Sequence, residues 1–326
     1  MNVQPNKRCI CLIGICFCFA SPTMAAVLYS TLFHQLKGAE LVVAATAVAK
    51  DVDSLSTLYR FRIDRLLADG PSDTAISVIT FVGHHVIRSE EERYEVGGSY
   101  LLILSRNPRI LQGDAARNAI YRKSNAYYTR TNFPKARKDF ADALEAVEIL
   151  ISLEALKDSL VLKRRFLDLL LSQNHFILES AIEELSTAGA KEAIPDIRRV
   201  ALTARDIMVR FQALTALYNL HGGGEAPTYF RAMHDPDAFV RQRAIACLIW
   251  ANVVSSEDSL ITLVADTSEN IDNRMIAAGG LLKFHSVRSI PTLESIRLDD
   301  PRSRYEKQQL DRIIDSLSVI QKSMVK

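Results

Sequence analysis

The second half of the chain repeats one arrangement of apolar and small residues: Ile177, Ala181 and Leu185; Val209, Ala213 and Leu217; Val240, Ala244 and Leu248; Asn273, Ala277 and Leu281. A spacing of four lines one face of an α-helix. The steps between sets are 32, 31 and 33 residues. A central alanine lets a neighbouring helix come close, while the larger residues around it fill the layer between repeats. Pro195, Pro227 and Pro291 follow the same period, 32 and then 64 residues apart, with Leu260 in the place of a missing member. A proline in the first helical turn presets φ and gives up only an amide that has no partner there. Each therefore marks the second helix of a pair, and about four pairs are expected between Phe176 and Ile314.

Upstream, Phe140, Leu144, Val147 and Ile151 recur at helical steps, and Leu160, Phe166, Leu167, Leu170 and Leu171 predict a further helix. Before residue 125 the period changes to two. Tyr59, Phe61 and Ile63 alternate with Arg60, Arg62 and Asp64, which places rings on one face of a strand and charges on the other. Residues 41–49, 76–82 and 99–104 are apolar runs of strand length, the last preceded by Gly97-Gly98, a pair suited to a tight turn. The expected division is a signal peptide over 1–25, a β-barrel module over 26–125, a helical linker or first helical pair over 126–174, and helical repeats over 175–326.

The polar residues inside the repeats predict scaffolding. Asp206 and Arg210, Asp237 and Arg241, and Asn270 and Arg274 hold equivalent places four residues apart, with the acid or amide toward the helix start. Such a pair suits the helix dipole, and its repetition down a stack makes a ladder. His221-Gly222-Gly223-Gly224 spells an oxyanion-hole motif, but no Gly-x-Ser-x-Gly elbow accompanies it, and glycines are expected at the end of a helix. His234-Asp235-Pro236-Asp237 reads as a turn with Asp237 capping the helix that follows. His84-His85 would point to opposite faces of a strand and so make poor co-ligands. No catalytic, cofactor-binding or metal-ligating residue is expected.

Lys7 and Arg8 precede an apolar run over 9–20 and the small residues around Ala25, the pattern of a cleavable secretory signal. The run is too short to span a bilayer, so no membrane span is expected after cleavage near Ala25. Four of the five cysteines lie in that segment, which leaves Cys247 within an apolar helix as a buried thiol. Cleavage also removes two of 40 basic residues, matching the remaining 38 to the 38 acidic ones. Nucleic-acid binding depends on a basic footprint, and a balanced chain directed to the periplasm or outside the cell lacks one.

Two stretches carry family resemblances. Residues 39–43, 59–67 and 94–102 resemble a β-module of bacterial exported proteins related to the OB-like barrels of netrin and of the tissue inhibitors of metalloproteinases. The inhibitors act through a cysteine at the mature N-terminus, and a chain beginning near Ala26 has none there. The repeats resemble compact HEAT-like units of the kind also found in the phycobilin lyases. Together these imply an α+β protein of two domains, a small OB-like barrel followed by an all-α HEAT-like solenoid. The function expected is that of an exported, non-enzymatic interaction protein whose partner is another envelope or secreted protein. The alternatives are ligand or protease-inhibitor-like binding through the β-module, or service as an accessory to an envelope enzyme.

Overall fold

The computed structural model describes residues 31–37, 39–52, 56–68, 74–81, 94–105, 127–296 and 304–324. The expected signal segment and His84-His85 lie outside the described residues. The fold is α+β, with strands before most of the helices. Strands β1 (Leu41–Val52), β2 (Ser56–Leu66), β3 (Ala75–Phe81), β4 (Ser99–Ser105) and β5 (Tyr127–Pro134) are hydrogen-bonded in the order β1-β2-β3-β5-β4, and β4 pairs back with β1. All pairings are antiparallel except the seam between β3 and β5, which consists of the parallel pairs Val78 with Tyr127 and Ile79 with Tyr128. Gly97 turns the chain into β4 at φ +91°, a conformation open to glycine at little cost.

Strand β4 and the first half of β1 bury both faces, which explains why their sequences read as apolar runs. Leu41, Val43, Leu102 and Leu104 point into the sheet's own core beside Tyr59, Phe61, Tyr94 and Tyr100. Their neighbours Val42, Leu101 and Ile103 point the other way, into the core that the helices share. The period of two thus persists in the side-chain directions although the polarity pattern has lost it. Inside the ring, Tyr94 packs edge-on against Tyr59, Phe61 and Tyr100 with centroids 5.0 Å apart in each case.

The helices begin with α1 (Leu32–Leu36), which buries Leu32, Phe33 and Leu36 against the helical core rather than inside the ring of strands. Then come α2 (Phe140–Glu154), α3 (Ser159–Leu169), α4 (His175–Thr187), α5 (Ile194–Thr203), α6 (Ile207–His221), α7 (Ala226–Ala232), α8 (Ala238–Trp250), α9 (Glu257–Ala265), α10 (Ile271–Lys283), α11 (Ile290–Glu294) and α12 (Arg304–Met324). The even-numbered helices from α2 to α12 pack each on the next, and the odd ones from α3 to α9 pack on the even helix that follows. Short 3₁₀ turns at Lys191–Ala193, Gly222–Glu225, Val254–Ser256 and Val287–Ser289 link the later pairs internally. Ala181, Ala213, Ala244 and Ala277 are fully buried between the even helices.

Two expectations are corrected. The strands do not end at residue 125: β5 occupies part of the stretch assigned to a helical linker, because Tyr127–Pro134 completes the ring between β3 and β4. The rest of that stretch, α2 and α3, packs on α4 as an additional helical pair. Leu260 does not stand in for the missing proline. Pro195, Pro227 and Pro291 each occupy the second position of their helix, where α9 has Asp258. An acid there serves the same helix start through the dipole. Leu260 instead joins Ile197, Tyr229 and Leu293, all fully buried.

Candidate functional site

Each even helix from α4 to α10 is capped by the residue before it. Asn174, Asp206, Asp237 and Asn270 accept main-chain N–H groups of the first turn, as Asp206 does from Met208 and Val209. This leaves the expected pairs four residues apart unformed, since the acid faces its own helix start. Arg210 and Arg241 reach forward to the next repeat. Arg210 holds Asp235 through two bonds of 2.8 and 2.9 Å, and its Nη1 donates to the carbonyls of Ala204 and Arg205. Arg241 repeats this with Glu269 at 2.7 and 2.8 Å and with the carbonyls of Asp235 and Pro236. Arg274 donates Nε to the carbonyl of Val264. A planar guanidinium with five donors suits this work, tying loop carbonyls and a carboxylate together at one corner.

Arg241 and Glu269 are shielded, with side-chain exposures of 19% and 9%. The guanidinium beside Glu269 holds that carboxyl below its ordinary range. Arg241→Met is expected to cost about 2 kcal/mol, chiefly by stranding Glu269, and Arg241→Met with Glu269→Leu is expected to recover much of that loss. Urea unfolding of the two variants measures both.

The ladder is interrupted at its first interface. Leu178 stands where the later repeats have Arg210, Arg241 and Arg274, and Ala204 stands where Asp235 receives Arg210. The vacated corner is a cavity of about 380 Å³ lined by Leu178, Ala204, His175, Arg199, Arg205 and Asp206 among others. Close behind it, Glu179 on α4 is 3% exposed and its Oε1 has no hydrogen-bond partner. Burial, followed by the charges of Asp206 and Glu183, pushes its carboxyl up to about 8.

A second cluster lies on the even helices α6 and α8. Phe211 stacks on Phe239 with centroids 4.4 Å apart and planes 6° from parallel. The Arg243 guanidinium lies 3.9 Å from the Phe211 centroid and 5.1 Å from that of Trp250, which in turn packs against Tyr218. Nε of Arg243 and Oε1 of Gln212 and Gln242 are buried without a partner. Desolvation holds the Arg243 guanidinium below the ordinary arginine range.

These residues were missed in the sequence, although their register was visible there. Gln212 and Arg243 each immediately precede a buried alanine of the repeat, at Ala213 and Ala244.

The tempting motifs have structural roles. Gly222 ends α6 at φ +54°, and a Cβ on Gly224 would fall 2.3 Å from the His221 ring. His221 Nδ1 lies 3.0 Å from Oε1 of the buried Glu225, which Arg198 grips at 2.7 and 2.9 Å. Arg198 foremost, with His221 and Thr228, holds the Glu225 carboxyl down at about 2 despite burial. This knot fixes the turn into α7. Burial pushes the Cys247 thiol up to about 12, the condition of an inert packing group.

Among the described residues no group of three or more His, Cys, Asp and Glu side chains is arranged to hold a metal ion, and no helix is long and apolar enough to cross a membrane. The chain matches no protein-family model, and no curated protein matches it.

Proposed function

We propose that the chain is an exported, non-enzymatic scaffold whose HEAT-like stack binds another envelope or secreted protein, with an OB-like ring of strands anchoring its N-terminal end. The observation that carries this reading is the row of even helices, which the alanine seam packs closely and the forward-reaching arginines brace at the corners. Such a row presents many side chains at fixed spacing, the property a protein-binding surface needs. The shared core of β1, β4 and α1 with the helices gives the row a fixed end. The charged groups a chemist would first suspect are already engaged: Arg210 with Asp235, Arg241 with Glu269, and Glu225 with Arg198.

Crosslinking in the native envelope, followed by peptide mapping, tests the reading. The expected result is one dominant partner joined to the even helices. Absence of any partner, together with turnover of a substrate by the purified chain in a broad hydrolase screen, would overturn it.

A further inference from the structure

The row of side chains directly before the alanine seam reads Ser180, Gln212 and Arg243 across α4, α6 and α8. Its first member is already used by a piece of chain: the Ser180 hydroxyl accepts the main-chain N–H of Phe33 at 3.2 Å, seating α1 on α4. Lys37 on Glu184 at 2.6 Å and Thr31 on Glu183 secure the same segment. The next two members have no such occupant. Oε1 of Gln212 and Nε of Arg243 are buried and unpartnered, as is Oε1 of Gln242 one residue before Arg243. A native protein leaves few such groups unfilled, since each costs about 1–3 kcal/mol.

The charge is equally one-sided. Helices α6 and α8 contain no acidic residue, and of their arginines Arg210 and Arg241 are committed to Asp235 and Glu269. Arg243 forms no ion pair among the described residues and lies between the Phe211 and Trp250 rings. Those rings hold the guanidinium flat and keep water from its faces. Trp250 remains 40% exposed, so the outer edge of the cluster meets solvent.

Resting on the scaffold reading, we infer that α6 and α8 bind an extended acidic peptide segment of the partner. One of its carboxylates meets Arg243 at the outer edge of the Phe211 and Trp250 rings, and main-chain N–H groups of the same segment meet the carboxamides of Gln212 and Gln242 as these turn outward. The segment continues the face that α1 occupies on α4. Carboxylate is the complement of an unpaired guanidinium, and a peptide backbone supplies the donors that two carboxamide oxygens lack. An apolar side chain beside the acid would lie on Trp250.

Trp250 is the chain's single tryptophan, so its fluorescence reports on this place alone. The purified full chain is titrated with a capped peptide alternating leucine and glutamate, and with the same peptide carrying lysine for glutamate. The expected result is a saturable change in Trp250 emission with the acidic peptide and none with the lysine one. Arg243→Met is expected to weaken binding roughly tenfold while leaving the melting temperature equal to or above that of the wild type, because it removes an unpaired desolvated charge. Gln212→Leu is expected to weaken binding by a smaller factor.

Equal responses to the two peptides, no saturable response, or unchanged affinity in Arg243→Met would each overturn the inference. So would a large drop in melting temperature for Arg243→Met, which would make the guanidinium a part of the fold. A partner crosslinked only to the odd helices or the strands would also overturn it while leaving the scaffold reading intact.

Discussion

Ala244→Asp is expected to destabilise the chain by about 4 kcal/mol or more, a drop in melting temperature of roughly 10 °C. Ala244 is fully buried in α8, midway along the seam with α6 and α10, in line with Ala213 and Ala277. The Cys247 thiol one turn later lies 3.7 Å from the carbonyl of Leu214, which shows how near the two helices run. A carboxylate there has neither room nor a donor. It must stay ionised without a partner, take up a proton, or force the helices apart. Because each pair leans on its neighbours, the damage spreads to both interfaces of α8. Thr262→Asp, on the exposed side of α9, is the control and is expected to stay within about 0.5 kcal/mol of the wild type. Thermal melts of the two variants decide the matter. An unchanged midpoint for Ala244→Asp would sink the helix register that places Ala244 in the seam.

That register was legible because close helix packing restricts what can stand in the seam. Only small residues let the even helices approach, so the alanines recur and reveal the period. The caps were equally open to reading, since Asp237 stands directly before an apolar helix, where a carboxylate oxygen meets free amides. What the arginines hold was not legible. A spacing of four inside one helix is visible in the sequence, whereas the reach from Arg210 to Asp235 depends on how one loop lies beside the next. Strand β5 was missed for a similar reason. Tyr127–Pro134 pairs mainly with β4, about thirty residues earlier, and its ending Asn132-Phe133-Pro134 reads locally as a break. The unpaired groups of α6 and α8 were hidden most deeply, because an arginine in a polar helix position looks like any solvated charge until its neighbours prove to be rings.

Glu179→Gln is expected to stabilise the chain above pH 8 by on the order of 3 kcal/mol and to have little effect near pH 4. Glu179 is buried in α4, one oxygen has no partner, and the nearby carboxylates Asp206 and Glu183 oppose its ionisation. Asp206 is committed to capping α6, and Glu183 accepts the Thr31 hydroxyl. With the folded carboxyl at about 8 against 4.5 for the free side chain, the folded chain holds a proton that the unfolded chain has released between those values. More protons on the folded side means that stability falls as pH rises through this window and levels off above it. Glu225 acts in the opposite sense. Held down at about 2, it contributes stability that is present above 4.5 and lost as pH falls toward 2. The two windows adjoin without overlapping, so urea midpoints measured at pH 3, 5, 7 and 9 separate them. The wild type is expected to be most stable near pH 5, and Glu179→Gln to hold its pH 5 stability through pH 9. A decline of equal size in the variant would show that another group carries the pH dependence. Glutamine keeps the shape of the side chain and discards only the charge, so the difference between the two curves reports the cost of ionising this one buried carboxyl of α4.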